Sequence, residues 1–394
     1  MLSPLCTIPL IAVVAMVGSC TDPSAEAEPP APINPAREEL GWHPLPASTL
    51  SPRTNAHAFW TGSTVLVIGG VDDVGCPPNG DCVQRELPLS DGAAYDPVTK
   101  AWTEMPDAPV PLGHVSGGVV AGSLYLWVPG FEPGARSAFL SFTPGDKEWV
   151  ELPPPPFDLE SSMNIVAAGD QLVAFQGTHE FGLEPDLSYD PRTEAWTELP
   201  PDPLTPAFDR QMIWTDEGLV LLGRELVPNP GSAEPSRVLA ARLDGQDNTW
   251  ERFPDSETIG GPWQWTGDKL VNASIGGADG GQVIGWGRSF PYGGILDPAT
   301  GEWSELPGTP DVSGDFRGFS VAGGGWAVSA DGWALHAASD TWVALRPPAA
   351  GVAEDGQAAV WAGDRLFVFG GSRVVDERFV LVGGGWSWSP ENGT

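Results

Sequence analysis

One pattern recurs along most of this chain and constrains its fold more than any other feature of the sequence. The clearest copy, residues 189–200, reads Tyr-Asp-Pro-Arg-Thr-Glu-Ala-Trp-Thr-Glu-Leu-Pro. An Asp-Pro step followed by Thr has the chemistry of a tight turn, so the Tyr and the Trp are predicted to lie on two paired strands. The Leu-Pro that follows ends the second strand, because proline has no N–H to donate to a β-ladder. Each copy is therefore predicted to form a hairpin.

A second pair of strands precedes each hairpin. Apolar segments that end in glycine lie upstream of it, for example at residues 65–70, 172–177 and 366–371. Before these segments comes a further strand with a tryptophan just ahead of its turn, as at Trp60 and Trp214. One repeat is therefore predicted to hold four strands.

The period of the repeat indicates the architecture. The intervals between the hairpin tryptophans run from 39 residues (303 to 342) to 54 residues (196 to 250). A four-stranded unit with this period is typical of a β-propeller, and periods of about 50 residues suit kelch blades. The tryptophans of the series are Trp102, Trp149, Trp196, Trp250, Trp303 and Trp342, with Trp386 expected as the last member.

The glycine-ended strand, the Tyr-Asp-Pro turn and the tryptophan together resemble the kelch-repeat family over residues 40–388. The resemblance implies an all-β fold, a kelch-type β-propeller with seven four-stranded blades or, alternatively, six. It also implies that an N-terminal strand with Trp42 completes the last blade, although a hairpin leading into Trp386 could complete that blade unaided. The predicted blades span residues 51–106, 112–153, 160–200, 208–254, 261–307, 316–346 and 355–388.

The charge of the chain restricts its partners. The formal net charge is −33, from 52 acidic and 19 basic residues. Such a surface repels phosphate backbones and anionic lipid head groups, so nucleic acid is not expected as a partner. A solvated acidic surface is the simplest interpretation, and attraction of Ca²⁺ or of a basic partner is the alternative.

The N-terminus has the pattern of an exported protein. Residues 1–19 are predicted to be a signal peptide, because their apolar run of about ten residues is too short to span a membrane. The segment Val-Gly-Ser-Cys at 17–20 resembles a bacterial lipobox, which would make Cys20 the lipidated N-terminus. Residues 20–40, rich in Pro, Ala and Glu, are predicted to be a disordered tether, and residues 41–394 the propeller. We therefore expect a lipid-anchored protein of the bacterial cell envelope, or alternatively a fully secreted one.

The remaining cysteines suggest a local disulfide. Cys6 leaves with the signal peptide, which leaves Cys76 and Cys82 as a pair around the turn sequence Pro-Pro-Asn-Gly-Asp. In an oxidising compartment such a pair is expected to be oxidised. A metal site is not favoured there, because no further Cys or nearby His completes a ligand set.

Candidate site residues follow from the topology of a four-stranded blade. The start of the innermost strand and the loop between the second and third strands lie on one side of the ring, and the kelch resemblance implies binding there. The candidate ligand-binding residues near these strand starts are Arg53, Asn55, His57, His114, Asn164, Arg210 and Arg317. The arginines could hold an anion or, alternatively, form ion pairs that cap loops. No metal or other cofactor is predicted, and Ca²⁺ or Cu²⁺ has no support in the sequence.

These observations favour a binding or interaction module over an enzyme. We expect a monomer that presents the loops of one face to a protein or glycan partner. The alternative is a carbohydrate-active enzyme, of the epimerase, mutarotase or oxidase type, on the same face. No catalytic residue is predicted, since the chain has neither a Gly-x-Ser-x-Gly nor a His-Glu-x-x-His motif. Arginine, a carboxylate and a base in one compact cluster would favour the enzyme.

Overall fold

The computed structural model describes residues 41–73, 88–130, 136–157, 162–204, 206–226, 235–245, 247–276, 278–280, 288–308, 310–311, 318–346, 353–376 and 378–390. Every named element in this part of the chain is a β-strand. Within these residues there is no helix long and apolar enough to cross a membrane.

The strands follow the predicted repeat. The first strand is β1 (Gly41–Pro44). Blade 1 holds β2 (His57–Trp60), β3 (Val65–Ile68), β4 (Gly92–Asp96) and β5 (Ala101–Met105). Blade 2 holds β6 (Ser116–Val120), β7 (Ser123–Val128), β8 (Ala138–Phe142) and β9 (Val150–Leu152). Blade 3 holds β10 (Met163–Ala168), β11 (Gln171–Gln176), β12 (Leu187–Asp190) and β13 (Ala195–Glu198).

Blade 4 has the longest strands, β14 (Ala207–Thr215), β15 (Gly218–Glu225), β16 (Val238–Asp244) and β17 (Thr249–Arg252). Blade 5 holds β18 (Gln264–Trp265), β19 (Leu270–Asn272), an inserted pair β20 (Ala278–Gly280) and β21 (Ser289–Pro291), then β22 (Gly294–Leu296) and β23 (Trp303–Ser304). Blade 6 holds β24 (Val321–Gly323), β25 (Trp326–Val328), β26 (Trp333–His336) and β27 (Thr341–Ala344). Blade 7 holds β28 (Ala358–Ala362), β29 (Arg365–Phe369), an inserted pair β30 (Ser372–Val375) and β31 (Arg378–Leu381), then β32 (Gly385–Ser389).

The blades form a closed ring of seven. Each is a four-stranded antiparallel sheet, and each innermost strand contacts the innermost strands of its two neighbours. The strand β28 of blade 7 contacts β2 of blade 1, which completes the circle. The prediction of an all-β, seven-bladed propeller is confirmed, and six blades are excluded.

The N-terminal strand closes the ring. β1 pairs with β32 as the fourth strand of blade 7, in a register that runs from Gly41 opposite Ser389 to Pro44 opposite Trp386. Of the two alternatives for blade 7, completion by the N-terminal strand with Trp42 is therefore the correct one. Trp386 lies on the third strand of the blade, so it is not the last member of the hairpin series, and Trp42 takes that place.

The repeat tryptophans tie each blade to the one before it. Six indole Nε1–H groups donate to the carbonyl of the proline that ends the outer strand of the preceding blade. The pairs are Trp102 to Pro46 (3.1 Å), Trp149 to Pro106 (2.9 Å), Trp196 to Pro153 (3.3 Å), Trp250 to Pro200 (2.9 Å), Trp303 to Pro254 (2.7 Å) and Trp342 to Pro307 (2.7 Å). The Trp and Leu-Pro of the sequence repeat are therefore two halves of one contact between blades.

Apolar faces of adjacent blades form the core. One cluster between blades 2 and 3 combines Phe139 and Leu152 with Ile165 and Tyr189. The rings of Phe139 and Tyr189 meet edge to face, with centroids 5.1 Å apart. Packing of this kind spreads the hydrophobic stabilisation around the ring, because no single blade can bury both of its faces alone.

Candidate ligand-binding face

One side of the ring, here called the loop face, holds the starts of the innermost strands and the loops between second and third strands. His57 begins β2, Asn164 is the second residue of β10, and His114 lies two residues before β6. All three lie on neighbouring blades. The structure brings these three predicted residues to one place.

They line a pocket between blades 1, 2 and 3, here called the histidine pocket, with a volume of about 420 Å³. Its lining residues are His57, His114, Val115, Ser116, Pro129, Ser162, Met163, Asn164, Gly177 and Thr178. The lining combines imidazoles, a carboxamide and hydroxyls with three apolar side chains. Such a mixture of convergent polar groups on a partly apolar wall is typical of small-molecule sites.

His57 is held in one orientation at the wall of this pocket. Its Nε2 lies 2.9 Å from the carbonyl oxygen of Gly113, which fits a neutral imidazole that donates from Nε2. Burial lowers the pKa of His57 below the usual 6.5, and the charge of His114 acts in the same direction, while the bond to Gly113 opposes it. The ring is therefore neutral at pH 7, with Nδ1 as an acceptor.

Asn164 provides a carboxamide that makes no side-chain hydrogen bond within the described part of the chain. No described residue makes a hydrogen bond to its side chain, whereas its neighbour Ile165 donates its N–H to Ser116 Oγ across the blade boundary at 2.9 Å. A Cβ at Gly177 would lie 2.8 Å from Asn164 Nδ2, so glycine at that position leaves room for the amide. The half-buried Asn164 side chain thus offers both a donor and an acceptor to a ligand.

Arg53 lies outside this pocket, in the segment that leads into β2. Its side chain is fully buried and forms a bidentate pair with Asp91, at 2.6 and 2.9 Å. It also donates to the carbonyl oxygens of Ser51 and Gly69 and to Ser51 Oγ, at 2.9–3.1 Å. All five guanidinium N–H groups are engaged, so Arg53 fastens the strand start to its own blade. Ligand binding by Arg53 stays a prediction.

Arg210 lies on β14 and reaches back to blade 3. It pairs with Asp186, at 3.1 and 2.7 Å, and with Asp202 at 2.9 Å, and donates to the carbonyl oxygen of Gln176 at 2.8 Å. Its Nε is buried and has no hydrogen-bond partner among the described residues. Burial raises the pKa of Asp186, although Arg210 opposes the shift. Both arginines thus form ion pairs that hold loops, which is the second of the two alternatives predicted for them.

A β-bulge sets the direction of Arg210. The pairing of β14 with β15 shifts between Phe208 and Gln211, and Asp209 takes a left-handed conformation with φ of 50°. A bulge turns the next side chain away from the regular alternation, so Arg210 becomes buried while Asp209 faces solvent. The sequence contains no signal for this bulge. For the same reason it does not predict Asp186 and Asp202 as the carboxylate partners of Arg210.

Asp209 and Arg210 also line a second cavity of about 360 Å³ between blades 4 and 5. Arg224 lies over the ring of Phe208, with its guanidinium carbon 4.8 Å from the centroid, and Trp263 also lines the cavity. Asn55, the remaining described candidate, is exposed in a left-handed conformation and does not line the histidine pocket.

Several predicted positions lie outside the described residues, namely Arg317, Cys20, Cys76 and Cys82. Among the residues that the structure describes, no group of three or more His, Cys, Asp or Glu side chains could hold a metal ion.

The chain matches no protein-family model, and the search of curated proteins finds no significant match.

Proposed function

We propose that this protein is a kelch-type binding module whose histidine pocket takes up a neutral saccharide, either free or as part of a glycan. The observation that carries the proposal is the convergence of His57, His114 and Asn164, from three successive blades, on one pocket of about 420 Å³. A site built on three rigid strands holds its polar groups in fixed positions, which favours selective binding.

The chemistry of the pocket favours a neutral polyol. The neutral His57 ring and the Asn164 amide, which has no hydrogen-bond partner among the described residues, offer donors and acceptors to hydroxyl groups. Val115, Pro129 and Met163 provide apolar surface for the carbon face of a sugar ring. The strongly acidic surface of the chain, with its net charge of −33, disfavours anionic ligands.

Binding is preferred here over sugar chemistry. An epimerase or mutarotase on this face would need arginine, a carboxylate and a base close together. The described lining of the histidine pocket includes neither an arginine nor an acidic residue, and the donors of Arg53 and Arg210 are directed to Asp91, Asp186 and Asp202.

The kelch assignment and the cellular location belong to the same proposal. Support comes from the glycine-ended strands, the Tyr-Asp-Pro turns and the tryptophans, and from the lipobox-like segment at 17–20. β1 starts with Gly41 opposite Ser389, on the side of blade 7 away from the loop face. A Cys76–Cys82 disulfide would suit an oxidising location of this kind.

The test is a thermal-shift screen of the exported chain against neutral mono- and oligosaccharides, sialic acids, organic anions, Ca²⁺ and Cu²⁺, followed by calorimetric titration of any hit. We expect a neutral sugar to raise the melting temperature. Asn164→Ala should weaken its binding about fivefold, because each net hydrogen bond contributes about 1 kcal/mol. The fold should be retained, since the Asn164 side chain makes no hydrogen bond to a described residue.

Asn55→Gly is the matched control, because it removes a carboxamide from the same face outside the pocket, and glycine accepts the φ of 56° there. Sugar binding should be unchanged in this variant. The proposal fails if no saccharide binds. It also fails if Asn164→Ala and His57→Gln bind the saccharide as strongly as the wild type does.

A further inference from the structure

The cavity between blades 4 and 5 is a second candidate site on the loop face, separate from the histidine pocket, and is here called the bulge cavity. It has a volume of about 360 Å³. β14, β15 and the start of β16 form one wall, and the segment 260–263 that leads into blade 5 forms the other. A volume of this order suits a small-molecule site.

The two walls are held in a fixed relation by the carboxamide of Gln211. Its Nε2 donates to the carbonyl oxygen of Trp263 at 2.8 Å, and its Oε1 accepts the Trp263 N–H at 2.9 Å. The Trp263 indole in turn donates to the carbonyl oxygen of Gly260 at 3.0 Å. The segment opposite β14 is thereby fastened at both of its ends, so the cavity is formed before a ligand arrives. Such preorganisation lowers the entropic cost of binding.

Two charged side chains of the cavity lining retain free hydrogen-bonding groups. Arg224 Nε donates to the carbonyl oxygen of Ser236 at 3.2 Å, and its Nη1 donates to Asp209 Oδ2 at 3.3 Å. The other three N–H groups of Arg224 have no acceptor among the described residues, and Asp209 Oδ1 has no donor there. The two side chains are 26% and 64% exposed. Each can therefore bind a further group.

The conformation of Asp209 also points to a site. It lies in the β-bulge of β14 with φ of 50°, a left-handed region that residues other than glycine rarely adopt. Such conformations concentrate at functional sites, and bulges beside them redirect side chains. Here the bulge places the Asp209 carboxylate next to Arg224. Arg210, the third charged residue of the described lining, is not available to a ligand, because its Nη groups donate to Asp186 and Asp202.

The available groups indicate the class of ligand. One carboxylate and one guanidinium suit a molecule with both an ammonium and a carboxylate group, which is the state of a free α-amino acid at pH 7. Such a zwitterion has no net charge, so the acidic surface of the chain, at −33, does not repel it as it repels an anion. A simple cation would leave the donors of Arg224 unused. Leu222, Val238 and Pro262 also line the cavity, and they favour a ligand with an apolar side chain.

We propose that the bulge cavity binds a free α-amino acid with an apolar side chain. The carboxylate of the ligand accepts hydrogen bonds from Arg224, its ammonium group donates to Asp209, and its side chain lies against Leu222 and Val238. The bulge cavity shares no described lining residue with the histidine pocket. This site is therefore independent of the proposed saccharide site.

The probe is leucine, titrated into the exported chain by isothermal calorimetry at low salt. N-acetyl-leucine, which keeps only the carboxylate, and leucinamide, which keeps only the ammonium group, are titrated in parallel. We expect leucine to bind, and each blocked form to bind at least about tenfold more weakly, because each loses one charge-assisted contact. Absence of leucine binding, or an equal affinity of either blocked form, would overturn the proposal.

Two variants remove the charges of the site one at a time. Asp209→Asn keeps a residue type that tolerates the left-handed conformation, and Arg224→Gln replaces the guanidinium by a neutral amide. Each should weaken leucine binding at least about tenfold. Matched controls lie further along β16, outside the cavity lining, where Arg242 pairs with Glu251 at 2.8 Å and lies over the ring of Phe253. Glu251→Gln and Arg242→Gln should leave leucine binding unchanged.

Crossed measurements distinguish the two pockets. Asn164→Ala should leave leucine binding unchanged, and Asp209→Asn should leave saccharide binding unchanged. Loss of leucine binding in Asn164→Ala but not in Asp209→Asn would place the amino acid in the histidine pocket and overturn the assignment. Equal losses in Arg242→Gln and Arg224→Gln would show an effect of overall charge alone, and would also overturn it.

Discussion

Two buried arginines near the starts of innermost strands are paired in different ways, Arg53 within blade 1 and Arg210 between blades 3 and 4. Arg53 is fully buried, but the side chain of its partner Asp91 is 41% exposed. Arg210 faces two buried carboxylates, whose side chains in Asp186 and Asp202 are 8% and 4% exposed. The Arg53–Asp91 pair is electrically neutral and partly exposed to water. The Arg210 cluster has one positive charge for two carboxylates and is almost excluded from water. The same residue type at a comparable position therefore stabilises the ring by different electrostatics.

The largest difference is expected when the arginine is removed. Arg210→Met should lower the free energy of unfolding by about 3 to 5 kcal/mol, because two carboxylates would remain buried without a counter-charge. Chemical denaturation of the variant and the wild type measures this loss, with Arg346→Met as the exposed control. A loss no larger than that of the control would show that the cluster does not contribute to stability.

A smaller effect is expected from pH at the same cluster. Burial and the charge of Arg210 lower the pKa of His179 from 6.5 to about 4, with Asp202 opposing the shift. Between these values the unfolded chain binds a proton that the folded chain does not, so the free energy of unfolding falls as the pH falls. We expect a loss of about 2 kcal/mol from His179 across this window.

His179→Asn isolates this contribution. The Asn oxygen can replace His179 Nδ1 as the acceptor of the Ala207 N–H, now at 3.1 Å, but it cannot be protonated. Denaturation at several pH values should show a shallower decline in the variant than in the wild type. The raised pKa of Asp186 increases the free energy of unfolding as the pH falls, and this contribution is the same in the wild type and the variant. If the free energy of unfolding falls equally with pH in the variant and the wild type, His179 is not the cause of the decline.

The smallest effect is expected from removal of Arg53. Arg53→Met should cost about 1 to 2 kcal/mol, because Asp91 can turn to water while the carbonyl of Gly69 loses its donor. The comparison of Arg53→Met with Arg210→Met is the decisive one. If the two losses are equal, the exposure of the partner carboxylate does not determine how much each arginine contributes to the free energy of unfolding.

The sequence anticipated the site only in part. His57, His114 and Asn164 could be selected because a regular repeat shows where each innermost strand begins. Their convergence on one pocket could be expected from that regularity, but the pocket's volume and full lining could not, because they depend on how three blades pack together. The pairing of Arg210 with Asp186 and Asp202 depends on a bulge that no local pattern encodes.

By itself the sequence determined the four-stranded repeat, the turns and the tryptophans, because turn chemistry and strand termination depend on neighbours within a few residues. It also supplied both halves of each contact between blades, the tryptophan and the Leu-Pro. Only the tertiary structure decided that β1 closes a ring of seven, that β30 and β31 form a ribbon of their own, and which acidic residue meets each arginine. These outcomes depend on contacts between residues far apart in the chain, and their geometry is fixed only when the ring closes.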